Sequence, residues 1–289
     1  FSNITFSDFL WTLRSIYLPL FTAMQFIPPK ADIYHCVATG YSGIVGAMAK
    51  ALYPESAMLI SEHGIYTRER EDEIIRAHWV QGIYKDIWIQ QFRKMSLCAY
   101  QYADVVTALF SYARELQIEL GCPAEKTEIT PNGIRTERFL SAPGKDENDP
   151  YINVGAILRI TPIKDVKTMI SAFHFAQQRE PMLRLWLMGP DDEDPEYAAE
   201  CRMLIETLQV KNVEITGRIN TIDYIGKMDM TILTSISEGQ PLTILESFAV
   251  KKPCIATNVG NCFGLIMGED GDTLGAAGIV APVMNISAI

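Results

Sequence analysis

Histidine is scarce and basic charge is in deficit. Only four histidines occur in 289 residues, and His35, His78 and His174 have no partners at metal-ligand spacing, so no zinc cluster is expected. Lysine and arginine total 25 against 35 aspartates and glutamates, a net charge of −10. A nucleic-acid module needs a basic footprint to displace counterions from phosphates, and the acidic balance argues against that class. It leaves room for a local basic pocket that takes a small phosphorylated ligand. The six cysteines (Cys36, Cys98, Cys122, Cys201, Cys254, Cys262) never fall at Cys-x-x-Cys spacing. They read as buried thiols of a reducing, cytoplasmic compartment and not as a disulfide framework. Long apolar runs are missing too. The most apolar stretch, Phe9–Pro28, is broken by Arg14, Pro19 and Gln25, whereas a membrane span needs about 20 nearly uninterrupted apolar residues. That stretch reads as an amphipathic core helix, with packing on a membrane partner as the other option.

What is present is core material: 48% of residues are hydrophobic and 21% charged. Short apolar runs alternate with longer amphipathic stretches, the pattern of βα units around parallel sheets. In the first half the strands predicted are Ile33–Val37, Ala57–Ser61, Val105–Ala108 and Thr127–Thr130, with helices near Ser42–Tyr53, Tyr84–Ala103 and Ser111–Leu120. The segment Ser141–Pro150 (SAPGKDENDP) has turn-forming and charged residues without periodicity and is read as a linker. The alternation then restarts with strands at Tyr151–Ile157, Leu183–Met188, Val213–Thr216, Met230–Thr234 and Cys254–Thr257, and helices near Lys164–Gln178, Tyr197–Leu208 and Pro241–Ala249. Two α/β domains follow: 1–140, then the linker 141–150, then 151–289. Sheets of this kind bind ligands beyond the carboxyl ends of their strands.

Three constellations fall at such ends. The run SEGQPLTILE, Ser237 to Glu246, leads from a strand through a turn with Glu238 and Gly239 into a helix whose first position suits Pro241. Free amides near Gly239 to Thr243 form an anion site for a phosphate, with Glu238 and Glu246 as acceptors for sugar and ribose hydroxyls; a helix start with an acidic residue complementing its dipole explains the same letters. The run LRITPIKD carries Arg159 at a strand end and Lys164 near a helix start, a paired positive charge that suits a pyrophosphate; solvated charges, or a pair with Asp165, are the plain alternative. The run SEHGIYTRERE places His63 just past a strand beside Gly64, ahead of a solvated helix start at Arg68–Glu71. Two further motifs stay open. Asp192-Glu193-Asp194 has a spacing that can hold a divalent cation or simply begin a helix, and Gly40, Gly43 and Gly46 either admit a ligand or allow close packing.

Glu238 to Glu246, the Arg159/Lys164 pair and the Pro131-Asn132-Gly133 turn, in that chain order, resemble the retaining glycosyltransferases of family four. The strings SEHGIYTRERE, PIKDVKT, SEGQPLTILES and PCIATNVGNC resemble the branch of that family serving Pel exopolysaccharide synthesis. The resemblance implies an α/β GT-B fold, two Rossmann-like domains with parallel sheets facing a cleft, both truncated here. On that reading the first strand with its glycine-rich loop, and the closing helices, lie outside this chain. It implies that Arg159 and Lys164 bind the donor diphosphate, that Glu246 holds the ribose, and that Glu238 lies near the donor sugar. The amides of Gln240, Pro241, Leu242 and Thr243 would face the phosphates, and His63 would sit on the acceptor side. It further implies a UDP-sugar donor with glucose as first guess, no metal or other cofactor, and attack from the leaving-group face without an enzyme nucleophile. The acceptor would be a polysaccharide or lipid-linked sugar, and the partner an inner-membrane synthase complex. Rival readings are a metal-dependent transferase using Asp192 and Asp194, a sugar-nucleotide epimerase of the same fold, and a non-catalytic nucleotide-binding subunit.

Overall fold

The computed structural model describes residues 5–269 and 272–289. Chain contacts divide it into two compact units, Phe1–Pro131 and Asn132–Ile289.

The first unit is built on four parallel strands, β1 (Ile33–Cys36), β2 (Ala57–Glu62), β3 (Val105–Ala108) and β4 (Thr127–Ile129), side by side in chain order. Their register pairs Ile33 with Ala57, Leu59 with Val105 and Val106 with Thr127. The helices are α1 (Phe6–Met24), α2 (Gly40–Leu52), α3 (Tyr66–Arg76), α4 (Ile83–Tyr102) and α5 (Ser111–Glu119). Met58, Ile60 and Val106 from the sheet pack with Ala99 and Tyr100 of α4. A second cluster joins Ile16, Ile74, Trp88, Phe92 and Met95. The glycine-spaced start of α2 serves packing: a Cβ on Gly43 would stand 2.6 Å from the Ala99 Cβ, and one on Gly46 2.4 Å from the Cys36 Sγ.

Helix α1 corrects the core reading of Phe9–Pro28. It is helical, capped by Thr5, whose Oγ1 accepts from the Asp8 amide, yet Ile16 is its one buried residue. Trp11 is 57% and Phe21 54% exposed. Most of its apolar residues recur at i, i+3 and i+4 and share one broad face, and on that face Ile16 alone is buried. No helix among the described residues is long and apolar enough to cross a membrane.

The second unit has six parallel strands: β5 (Ile152–Ile157), β6 (Leu183–Met188), β7 (Val213–Gly217), β8 (Met230–Leu233), β9 (Cys254–Thr257) and β10 (Gly278–Ala281), in the order β10-β9-β8-β5-β6-β7. Its helices are α6 (Val166–Gln177), α7 (Pro195–Thr207), α8 (Ile222–Ile225), α9 (Leu242–Ala249) and α10 (Cys262–Met267). Val154, Leu185 and Leu187 pack under Met169, Ile170 and Cys201; Leu233 and Ala256 pack under Ile244 and Ile266. Asp165 caps α6 and Asp194 caps α7, each accepting an amide three residues on, a contact worth about 1 kcal/mol.

The division falls at Pro131/Asn132, ahead of the polar segment expected as linker. The reason is local. Asn132 donates its main-chain N–H to Gln240 Oε1 at 2.6 Å and its Nδ2 to the Gln240 carbonyl at 3.1 Å. Within 141–150, Lys145 donates to the Tyr151 carbonyl and to Asp229, so that segment lies against the second unit.

Candidate functional site

Strand β5 leads outward through β6 and β7, and β8 returns to pair on its other side, Val154 opposite Met230. The chain thus reverses direction across the sheet between β5 and β8, the point beyond which such sheets bind ligands. The loops leaving these two strands are Leu158–Asp165, one of the runs singled out in the sequence, and Thr234–Pro241, which leads into the other, Ser237–Glu246.

Side chains and main chain lace the two loops together. Thr234 donates its hydroxyl to the Lys164 carbonyl at 3.0 Å and to that of Asp165 at 3.1 Å, and the Ile236 amide donates to the Ile163 carbonyl at 2.9 Å. From the other side, Thr257 at the end of β9 donates to the Ser235 carbonyl at 2.6 Å, and the Asn261 amide to the Gly239 carbonyl at 2.8 Å. Gly260 makes this approach possible: its φ is +52°, and a Cβ would fall 2.1 Å from the Gly239 oxygen. Thr234, Thr257, Gly260 and Asn261 do not stand out as site residues in the sequence. The signal for the last two is a glycine shortly after a strand, in NVGN.

Within this frame Lys164 and Glu238 meet. Lys164 Nζ donates to Glu238 Oε1 at 2.5 Å, and the Ser235 hydroxyl donates to the same oxygen at 2.6 Å. Both charged side chains are mostly buried, 17% and 12% exposed. Arg159 is elsewhere engaged: its Nη1 donates to both carboxylate oxygens of Glu193, at 2.6 and 2.8 Å, with about half of each side chain exposed. Gln240 is buried and its carboxamide is committed to Asn132, so it shapes the turn. Pro241 is the cap of α9 and not its first residue, and the helix begins at Leu242. A proline has no N–H, and the Ile244 amide bonds the Pro241 carbonyl. The first-turn amides ahead of that bond are those of Leu242 and Thr243, which narrows the expected set.

Glu246 sits on the second turn of α9, half-buried. Burial pushes its carboxyl above the ordinary value, and the Arg138 guanidinium pulls it back; Arg138 lies on the 3-10 turn Thr136–Phe139 that packs on α9. His63 belongs to the first unit, exposed in the loop after β2. The acidic loop is divided among structural tasks: Asp191 pairs with Arg202, Glu193 with Arg159, and Asp194 caps α7. Among the described residues no three histidine, cysteine or acidic side chains cluster as a metal site.

Residues 1–125 match the model of a domain of unknown function, DUF3492, and residues 151–288 match that of glycosyl transferases group 1. The UDP-Gal:alpha-D-GlcNAc-diphosphoundecaprenol alpha-1,3-galactosyltransferase of Escherichia coli is 24% identical over 251 residues, 81% of this chain and 60% of that protein. The amylovoran biosynthesis glycosyltransferase AmsK of Erwinia amylovora is 24% identical over 146 residues, 48% of this chain and 36% of AmsK. The chain spans about half the length of the curated relatives it matches. Among solved structures, Anabaena HepE in complex with UDP superposes with a TM-score of 0.71 at 19% identity, over 94% of this chain and 69% of that one. The two parallel-sheet α/β units are thus those of the GT-B fold class, and residues 151–288 are similar to the glycosyl transferases group 1.

Proposed function

We propose that this chain is the core of a retaining, metal-independent hexosyltransferase that takes a UDP-sugar, glucose as first assignment, and extends a polysaccharide or lipid-linked acceptor. Pel-type exopolysaccharide synthesis on the cytoplasmic face of a membrane complex is the setting the sequence strings suggest. The observation that carries the reading is the meeting of Lys164 and Glu238 at the β5/β8 reversal, with Arg159 on the same loop as Lys164.

The chemistry asked of such a site is electrostatic. As the glycosidic bond to UDP breaks, negative charge grows on the β-phosphate. Lys164, Arg159 and the first-turn amides of Leu242 and Thr243 supply positive potential at fixed positions, which stabilises that charge without reorganisation. Glu238, held by Lys164 and Ser235, offers its remaining acceptor capacity to sugar hydroxyls, and Glu246 does so to the ribose. The acceptor hydroxyl attacks from the face the diphosphate leaves, and its proton passes to the departing oxygen. His63 is assigned to the acceptor side. Support for the donor comes from HepE, solved with UDP and with UDP-glucose; support for the acceptor class comes from the diphosphoundecaprenol-linked substrate in the name of the E. coli relative.

The test is calorimetric titration with UDP and UDP-glucose, with and without EDTA. Binding that survives EDTA and weakens by about 1.5–3 kcal/mol in Arg159→Ala or Lys164→Ala, the scale of a hydrogen bond to a charged group, supports the reading. UDP affinity unchanged from wild type in both variants overturns the donor site.

A further inference from the structure

Strand β2 turns Met58, Ile60 and Glu62 to the same side, and all three are buried; Glu62 is 2% exposed. A carboxylate therefore ends a row of core positions, and among the described residues it has no lysine, arginine or histidine partner within ion-pair distance. It is met by donors instead. Tyr100 Oη at 2.6 Å and Gln117 Nε2 at 3.1 Å donate to its Oε2, and Thr39 Oγ1 donates to its Oε1 at 3.2 Å. Behind Thr39 a relay of hydroxyls runs from Thr67 through Ser96, each link 2.8 Å. Thr67 stands in the first turn of α3, so the relay ties that turn to Glu62.

The three residues between β2 and α3, His63, Gly64 and Ile65, form a loop whose entry is the Glu62 main chain. Its exit, the first turn of α3, is tied to the Glu62 side chain through Thr67, Ser96 and Thr39. Donors from Thr39 ahead of α2, Tyr100 of α4 and Gln117 of α5 converge on this one group, so its position is fixed from three sides at once.

We propose that Glu62 is a positioning residue: its carboxylate clasps the loop at the carboxyl edge of the first sheet and holds His63 in a single orientation. The consequence for sugar transfer rests on the function proposed above, in which His63 works on the acceptor side. Glu62 touches no donor, and its effect falls on turnover and not on UDP affinity.

The full chain, with 13C-labelled histidine, gives a readout independent of catalysis. His174, on α6 in the second unit, serves as internal reference among the four histidines. In Glu62→Gln the ring signal of His63 is expected to move or broaden while that of His174 stays, and UDP affinity remains within two-fold of wild type. Release of UDP from UDP-glucose with acceptor is expected to fall at least ten-fold in kcat, with little change in the KM for donor. Tyr100→Phe, which leaves Glu62 two donors, shifts the His63 signal in the same direction by less, and it decides the matter if Glu62→Gln does not fold. An unmoved His63 signal in a folded variant overturns the clasp. If wild type transfers no sugar, the proposed function falls, and the histidine signal still decides the clasp on its own.

Discussion

Lys164 and Glu238 are joined at 2.5 Å across 74 residues of sequence, each from the loop that leaves one of two adjacent strands. Removing one partner leaves the other charge mostly buried and unpaired, which costs more than the pair is worth. Lys164→Ala and Glu238→Ala should each destabilise the chain by about 1–3 kcal/mol. The double variant should be less unstable than the sum of the two. Urea midpoints for the four proteins of the cycle check this, and strict additivity contradicts the coupling.

Arg159 and Glu193 form a half-exposed pair, so in the proposed donor site an incoming diphosphate displaces Glu193. Exposed pairs contribute roughly 0.2–1 kcal/mol. Glu193→Ala is therefore expected to raise UDP affinity by about two- to five-fold at low salt, with the gain shrinking as salt screens the pair. A loss of affinity in this variant counts against competition at Arg159.

Gly260 is required by geometry twice over, by its φ of +52° and by the Gly239 oxygen that a Cβ would strike. Gly260→Ala is expected to cost about 1–3 kcal/mol of stability and to weaken UDP binding through displacement of the Glu238–Gln240 turn. Wild-type stability together with wild-type affinity in this variant rules out the clamping role.

Much of this fold is legible in the sequence. Strands β3, β6 and β9 occupy the residues their apolar runs mark, because a strand buried on both faces is a short, nearly continuous apolar stretch. Helix α3 shows only as a charged run, since most of its surface is solvated and its anchors, Thr67 and Ile74, are too few to make a stripe. Strand β10 is four residues long and follows a glycine-rich segment without periodicity. At the site, the charged residues stand out by type and position. Their partners do not: Asn132 reaches Gln240 over 108 positions. Glu62 looks like the polar end of a strand until the donors Thr39, Tyr100 and Gln117 are seen around it.

Burial holds the Glu62 carboxyl above its ordinary value, against the pull of Tyr100, Gln117 and Thr39. A raised carboxyl contributes stability that is full below the unfolded value, about 4.3, and lost as pH climbs through the folded value. Relative to Glu62→Gln, the wild type should therefore lose stability as pH rises from that point. Urea midpoints measured in half-unit steps from pH 4 to 8 test the sign, and parallel curves for the two proteins contradict it.

All six thiols are pushed upward by burial, Cys122 and Cys262 to about 12 and Cys201 and Cys254 to about 11. Thiolate is the reactive form, so at pH 7.5 the native chain should alkylate slowly and first at Cys98, the one cysteine that is only partly buried. Mass spectrometry after iodoacetamide, with and without urea, checks the order; early labelling of Cys262 in the folded chain contradicts the packing behind the Glu238 loop.

The central claim is that the β5/β8 reversal of the second unit binds a nucleoside diphosphate through Arg159 and Lys164. Calorimetric titration of the chain with UDP in EDTA tests it most directly. The account predicts one site per chain, weakened roughly ten-fold or more by Arg159→Ala or Lys164→Ala. Absence of binding by the folded wild type, or binding that both variants leave unchanged, contradicts it.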